Sequence, residues 1–367
     1  MKILCPKNEL LKSINSVSKA VSTKTTMPIL GCILIHTKEN RIFMTANDTE
    51  LGIETEVTGT IDEFGSVAVE SRLFSEIIRR LPDAMVEIKT DDSNNVQIFC
   101  EKAKFSVAGR DPEEFSHMPE VEKSQFIKIS ALTLKSVIDE TIFSAAESSA
   151  NIIMSGELFE QKDGKLRIAS LDGHRISIRN VELKEKYEPA SAIIPAKTLS
   201  ELSKILPDDS ECMVTVYFTV NHILFEFDST RVVSRLIEGK YFNLDQMLMH
   251  EFGIRLTINK KDFAACLDRA MLLVHENDRK PLILTIMDDS MEVSMRSSYG
   301  EMLEDIPIEK EGKDLKIGFN PRYLADAIRV IDDEKIDIFL ISANAPCFIK
   351  DEQESYIYMI LPINFNV

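Results

Sequence analysis

A short amphipathic segment recurs three times at a constant interval, and this recurrence restricts the fold more than any other feature of the chain. It reads Ser71-Arg72-Leu73-Phe74-Ser75-Glu76-Ile77-Ile78-Arg79-Arg80-Leu81-Pro82, then Ala196-Lys197-Thr198-Leu199-Ser200-Glu201-Leu202-Ser203-Lys204-Ile205-Leu206-Pro207, then Pro321-Arg322-Tyr323-Leu324-Ala325-Asp326-Ala327-Ile328-Arg329-Val330-Ile331. Exactly 125 residues separate Arg72 from Lys197, and again Lys197 from Arg322. A period of that length means one structural unit used three times. The 367 residues also exceed what a single core usually organises.

The surroundings of the segment repeat too. Each copy opens with a strand and an amphipathic helix, at 3–5 and 9–21, 126–129 and 133–145, 255–258 and 262–274. Paired strands follow, at 30–36 with 41–46, 156–160 with 165–169, and 282–287 with 290–295; Asp163-Gly164 and Asp288-Asp289 supply turns. Beyond the recurring helix come alternating strands at 86–89, 96–101 and 104–108, at 214–218, 222–227 and 231–236, and at 336–340, 347–350 and 356–361. The fold class is therefore α+β, with three repeated domains at 1–120, 126–246 and 252–367, each of two helices and a largely antiparallel sheet. Lone hairpins leave edges, so border strands should pair with neighbouring repeats.

At about 100° per residue, Arg72 and Arg79 leave one helix face while Phe74, Ile78 and Leu81 leave the opposite one. Lys197 and Lys204 oppose Leu199 and Leu206, and Arg322 and Arg329 oppose Leu324, Ile328 and Ile331. Ser71 and Asn320-Pro321 are helix starts, and Pro82 and Pro207 are stops. Glu76, Glu201 and Asp326 follow the first base by four residues, so an ordinary solvated face laced with ion pairs is the alternative reading. Repetition of both bases in three registers favours three basic stripes.

Charge bears on what those stripes meet. With 43 Lys+Arg against 60 Asp+Glu, the formal net charge is -17, which speaks against a protein that coats nucleic acid. The sum conceals segregation, because bases recur at matched positions while the acidic excess lies elsewhere. Lys102 and Lys104 lie beside Phe105, whereas Glu301, Glu304 and Asp305 cluster near the apolar run Met271-Leu272-Leu273-Val274. Two such edges can meet head to tail and close a ring.

Chemistry-bearing motifs are few. Asp172-Gly173-His174-Arg175 offers an acid and a base, but Asp-Gly after a strand is first a turn signal. A nucleic-acid hydrolase using Asp172 and His174 is the competing class. Cys5, Cys32, Cys100, Cys212, Cys266 and Cys347 are scattered without a C-x-x-C pair, as buried thiols would be. No apolar stretch approaches membrane-span length and the first residues lack a signal-peptide core, so a soluble cytoplasmic protein is expected.

Four further segments, Met27-Pro28-Ile29-Leu30-Gly31, Thr45-Ala46-Asn47-Asp48-Thr49-Glu50-Leu51, Leu171-Asp172-Gly173-His174-Arg175 and Ile317-Gly318-Phe319-Asn320, occur in this order across the repeats. Together with the threefold pattern they resemble the bacterial DNA sliding clamps, the beta subunit family of DNA polymerase III. The resemblance runs from Met1-Lys2 to Tyr358-Met359-Ile360-Leu361-Pro362.

It implies three clamp domains per chain, closing as a head-to-tail homodimer ring around double-stranded DNA. It further implies a processivity factor without catalytic residue, metal or cofactor. Its partners would be the replicative polymerase catalytic subunit, the clamp loader and other proteins with a clamp-binding motif. Lys24, Arg72, Arg79, Lys197, Lys204, Arg322 and Arg329 would face DNA. The 147–151 loop would lie nearby, although Ser148-Ser149-Ala150-Asn151 supplies no base. A partner-peptide pocket would be walled by Met154, Leu171, His174, Arg175, Ile176, Phe242, Met247, Asn344, Pro346, Met359 and Leu361. Phe105, Leu272 and Leu273 would form the apolar part of the dimer interface, ringed by Lys102, Lys104, Glu301 and Glu304. A scaffold that closes no ring is the remaining alternative.

Overall fold

The computed structural model describes residues 1–22, 25–249, 251–274 and 280–365. The first repeat contains β1 (Lys2–Pro6), α1 (Lys7–Val17), β2 (Cys32–Lys38), β3 (Arg41–Asn47), β4 (Leu51–Val57), β5 (Thr60–Glu63), β6 (Ser66–Glu70), α2 (Ser71–Arg80), β7 (Met85–Thr90), β8 (Asn95–Cys100) and β9 (Ala103–Ala108). The second contains β10 (Phe126–Ser130), α3 (Ala131–Asp139), β11 (Gly156–Lys162), β12 (Lys165–Leu171), β13 (Arg175–Glu182), β14 (Ala190–Pro195), α4 (Ala196–Ser203), β15 (Met213–Phe218), β16 (His222–Phe227) and β17 (Thr230–Arg235). Helix α5 (Leu244–Leu248) leads out of the second repeat, and the third contains β18 (Ile254–Asn259), α6 (Lys260–Met271), β19 (Leu282–Ile286), β20 (Ser290–Ser297), β21 (Gly300–Glu311), β22 (Leu315–Phe319), α7 (Pro321–Arg329), β23 (Lys335–Leu340), β24 (Cys347–Lys350) and β25 (Tyr356–Ile360).

The chain packs as two compact units, one of residues 1–135 with 197–236 and one of residues 136–196 with 237–367. The middle repeat is thus shared, and strand pairing is the reason. In the first unit β17 pairs antiparallel with β4, Thr230 opposite Thr55 through Ser234 opposite Leu51, which joins them in one sheet ordered β10-β15-β16-β17-β4-β3-β2-β6. In the second unit β13 pairs with β25, Arg175 opposite Ile360 through Arg179 opposite Tyr356. Border strands are therefore satisfied by the neighbouring repeat, as the edge argument requires.

Within the first unit a second sheet runs β5-β1-β7-β8-β9. Alternation along its strands turns Ile3, Cys5, Val86, Ile88, Val96 and Ile98 inward, all fully buried. Helix α1 buries Leu10, Ile14 and Val17, the i, i+4, i+7 stripe of its sequence. In the second unit the larger apolar core gathers Phe263, Leu267, Leu324 and Ile328 from α6 and α7 against β18 to β25.

One local expectation holds with its cap now identified, and one changes. Helix α2 is capped by the Glu70 carboxylate, which accepts from the backbone N–H groups of Arg72 at 3.1 Å and Leu73 at 2.6 Å; Ser71 is its first helical residue. Helix α3 stops at Asp139 rather than near 145. The Thr141 hydroxyl donates to the Val137 carbonyl at 2.7 Å, a side-chain bond that competes with continuation of the helix.

Candidate functional sites

The recurring helices place their bases as periodicity dictates. Phe74, Ile78, Leu199, Leu324 and Ile328 are buried to within 1 %, while Arg72, Arg79, Lys197, Lys204, Arg322 and Arg329 are all exposed. Asn320 caps α7 by accepting from the Arg322 N–H at 3.0 Å. Arg79 pairs with Glu76 at 2.9 Å, Lys204 with Glu201 at 2.8 Å and Lys197 with Asp48 at 3.0 Å. Arg72, Arg322 and Arg329 hold no ion pair among the described residues. The pairs expected between each first base and the acid four residues on do not form: Glu76 and Glu201 take the second base of their helix, Lys197 takes Asp48 and Asp326 takes Arg175. Lys24 lies outside the described residues.

In the first unit, Lys12 and Lys19 join Arg72, Arg79 and Lys204 around a cleft of about 1020 Å³. Serine hydroxyls interleave with them, including Ser16, Ser71 and Ser75. Glu70 and Glu76 also line it, so five cations outnumber two carboxylates, and with the hydroxyl donors they suit a polyanion whose phosphates take both kinds of contact. Lys12 and Lys19 were missed in the sequence because α1 read as a core helix. Their seven-residue spacing matches that of the other base pairs and was the available signal.

A second site lies wholly in the second unit. Leu171, Ile176 and Met359 are buried in one apolar cluster, with Met154, Phe242, Met247 and Leu361 half-buried against it. Pairing of β13 with β25 aligns these walls, and the Leu361 N–H donates to the His174 carbonyl at 2.8 Å. Asn344 and Pro346 stand in the β23–β24 loop, outside the cluster. Phe252, which the sequence did not single out, packs on Phe339 and Phe348 with ring centres 5.2 and 5.1 Å away.

Asp172 and His174 do not form an acid–base pair. The Asp172 carboxylate accepts from the backbone N–H of His174 at 2.9 Å and of Arg175 at 3.1 Å, and from Arg175 Nε at 3.1 Å. Gly173 takes φ +88°, which completes a turn. The His174 ring stacks on Tyr323 instead, with centroids 6.2 Å apart.

The candidate edges are open strands. Among the described residues β9 ends its sheet and pairs only with β8, leaving Lys104 and Phe105 exposed on it and Lys102 in the preceding turn. In the second unit, β21 pairs with β20 through Gly300 to Pro307 and reaches β18 only from Ile308 onward. Its first half therefore carries a free hydrogen-bonding edge among the described residues. Leu272 is 81 % and Leu303 68 % exposed beside it, and Leu273 half-buried. Glu301 and Glu304 point to opposite faces of β21. Glu304 is held by Arg269, with one contact at 2.8 Å, and that hydrogen bond keeps its carboxyl below the usual range. Leu303 went unnoticed in the sequence, although strand alternation puts it on the Glu301 face.

All six cysteines are free thiols, and burial pushes Cys5 and Cys266 up to about 12. Among the described residues no helix is long and apolar enough to cross a membrane.

Three family models match the chain in succession: the DNA polymerase III beta subunit N-terminal domain over residues 1–119, its central domain over 128–243 and its C-terminal domain over 246–364. The chain is 31 % identical to the beta sliding clamp of Staphylococcus epidermidis over 99 % of both chains, and equally similar to that of Staphylococcus aureus. Its fold superposes with TM-score 0.96 on a putative DNA polymerase III beta subunit from Eubacterium rectale, 52 % identical, and on the DNA polymerase sliding clamp of Bacillus subtilis, 31 % identical; each covers 100 % of both chains.

Proposed function

The chain belongs to the DNA polymerase III beta subunit family, and from that membership we propose that it is a DNA sliding clamp, the processivity factor of a replicative polymerase. It acts by enclosure rather than by catalysis. Two copies join head to tail, the free edge of β9 on one protomer against the free half-edge of β21 on its partner. Exposed Phe105, Leu272 and Leu303 supply apolar area there, and Lys102, Lys104 and Glu301 the polar rim. Domains at 1–120, 126–246 and 252–367, two sets of three, then surround the duplex.

The observation that carries this reading is the register of α2, α4 and α7, which present bases outward at the same two positions of every repeat. Such bases meet phosphates, which report no sequence, so the ring is held without being parked. Arg72, Arg322 and Arg329 are free for this contact, while Arg79, Lys197 and Lys204 are partly neutralised at home. With the whole chain at -17, the acidic excess lies on other surfaces and discourages binding outside the ring.

Partner proteins, the polymerase catalytic subunit and the clamp loader among them, dock a short apolar peptide on the cluster of Leu171, Ile176, Met247 and Met359. Phe242, Met154 and Leu361 complete its walls, with His174 and Arg175 at one end and Asn344 and Pro346 at its rim. The protein works in the cytoplasm, and the turn at Asp172 serves the groove.

Retention on nicked circular duplex, followed by linearisation, tests the function. The protein, once loaded, stays on the closed circle and leaves when the circle is cut. Equal loss from both forms would refute enclosure.

A further inference from the structure

This inference rests on the clamp reading. Each basic helix carries the same triplet, a base, an acid four residues on and a second base three residues after that: Arg72, Glu76, Arg79; Lys197, Glu201, Lys204; Arg322, Asp326, Arg329. The acid lies about 40° around the helix from the first base and about 60° from the second, within reach of either. In α2, Glu76 takes Arg79 at 2.9 Å and Arg80 at 3.1 Å. In α4, Glu201 takes Lys204 at 2.8 Å. Helix α7 breaks the pattern.

Its Asp326 pairs with neither base of its own helix. Oδ2 accepts instead from Nη1 of Arg175 at 2.6 Å. Arg175 opens β13 and is fixed on every side. Its Nε donates to Asp172 at 3.1 Å and its Nη2 to the Phe143 carbonyl. Its guanidinium carbon stands 4.4 Å from the centre of the Tyr323 ring and 5.3 Å from that of Phe143. With 12 % of its side chain exposed, Arg175 cannot follow Asp326 outward, so it sets where the carboxylate rests.

We propose that Arg175 is a positioning residue for DNA contact: by holding Asp326 it leaves Arg322 and Arg329 uncovered and makes α7 the strongest phosphate-binding helix of the three. Without Arg175, Asp326 falls back on Arg329 as Glu76 does on Arg79. The turn that borders the apolar groove thereby tunes a surface it does not belong to.

The test is equilibrium binding of the full-length protein to a short linear duplex across a salt series, read by fluorescence anisotropy. One lost phosphate contact lowers the slope of log K against log salt by about 0.9. Arg175→Met should show that loss, and adding Asp326→Asn should restore the slope, since no carboxylate remains to fall back. A packing role alone would leave the double variant as shallow as the single one. An unchanged slope in Arg175→Met, or no recovery in the double variant, overturns the proposal. Should thermal melts show that Arg175→Met fails to fold, two substitutions in the otherwise native chain decide. Glu76→Gln, which releases Arg79, then steepens the slope by about 0.9, and Asp326→Asn by much less; equal steepening overturns the proposal. A native protein that binds duplex with no salt dependence overturns the clamp reading and this inference with it, whereas a normal native slope with failing variants removes the inference alone.

Discussion

Lys197, 68 % exposed on α4, reaches Asp48, whose side chain is only 8 % exposed, across 3.0 Å. Asp48 also accepts from the Glu50 and Leu51 N–H groups at 3.1 and 2.8 Å, so its turn is built before the lysine arrives. Asp48→Asn keeps those acceptors and frees the base. The salt slope of DNA binding should steepen by about 0.9, and unfolding free energy should change by less than about 1 kcal/mol, because the lysine end of the pair is screened by solvent. An unchanged slope would show that Lys197 does not meet phosphate.

Free and paired bases should contribute unequally. Arg72→Ala with Arg322→Ala removes two unpaired cations and should lower the salt slope by about 1.8. Arg79→Ala with Lys204→Ala removes two that already face carboxylates, and should lower it by clearly less. Equal effects in anisotropy titrations would mean that the ion pairs open whenever DNA arrives.

Glu157 is fully buried on β11, and neither carboxyl oxygen finds a hydrogen-bond partner in the described structure. The nearby Thr141 hydroxyl spends its proton on Val137. Burial foremost, with Asp139 adding repulsion, raises its pKa well above the ordinary value, and Tyr241 also feels its charge. The folded state then holds the proton more tightly than the unfolded chain. Its contribution to stability is complete below the unfolded pKa near ~4.3 and is lost as pH rises towards the folded value, at up to ~1.4 kcal/mol per pH unit. Glu157→Gln should remove that component, so chemical denaturation across this window should give a flatter curve than the native chain. Parallel curves would mean that Glu157 is ionised in the folded protein. Glu140, raised mainly by burial, titrates in both proteins and cancels in the comparison.

Leu272 tests the dimer more cleanly than Leu273, which is half-buried against its own core and would cost stability as well. Leu272 is 81 % exposed. If a partner covers it, Leu272→Asp forfeits roughly 1.5–3 kcal/mol of apolar burial. The closed ring has two such interfaces, so the loss counts twice and weakens the dimer about 10²- to 10⁴-fold. Sedimentation equilibrium should show the shift to monomer with an unaltered melting temperature.

The sequence by itself determined the threefold repeat, the class of each domain and the outward face of the recurring helices, because period and amphipathicity are local. Phe74 against Arg72 is decided by 3.6 residues per turn, whatever the rest of the chain does. Strands such as β4, β13 and β21 were less legible, since their pairing depends on distant partners: Thr55 opposite Thr230, Arg175 opposite Ile360. The seven-residue spacing of Lys12 and Lys19 was present, but only packing brings them to the cleft of Arg72 and Lys204. Tertiary structure alone decided which bases are free. Asp326 and Glu76 occupy one position in the repeat; Asp326 is one methylene shorter, and Arg175, arriving from 151 residues away, takes it from its own helix. Ion pairing is a short-range interaction between groups that the chain brings together from afar, so the charge a helix offers to DNA is a property of the fold rather than of the segment.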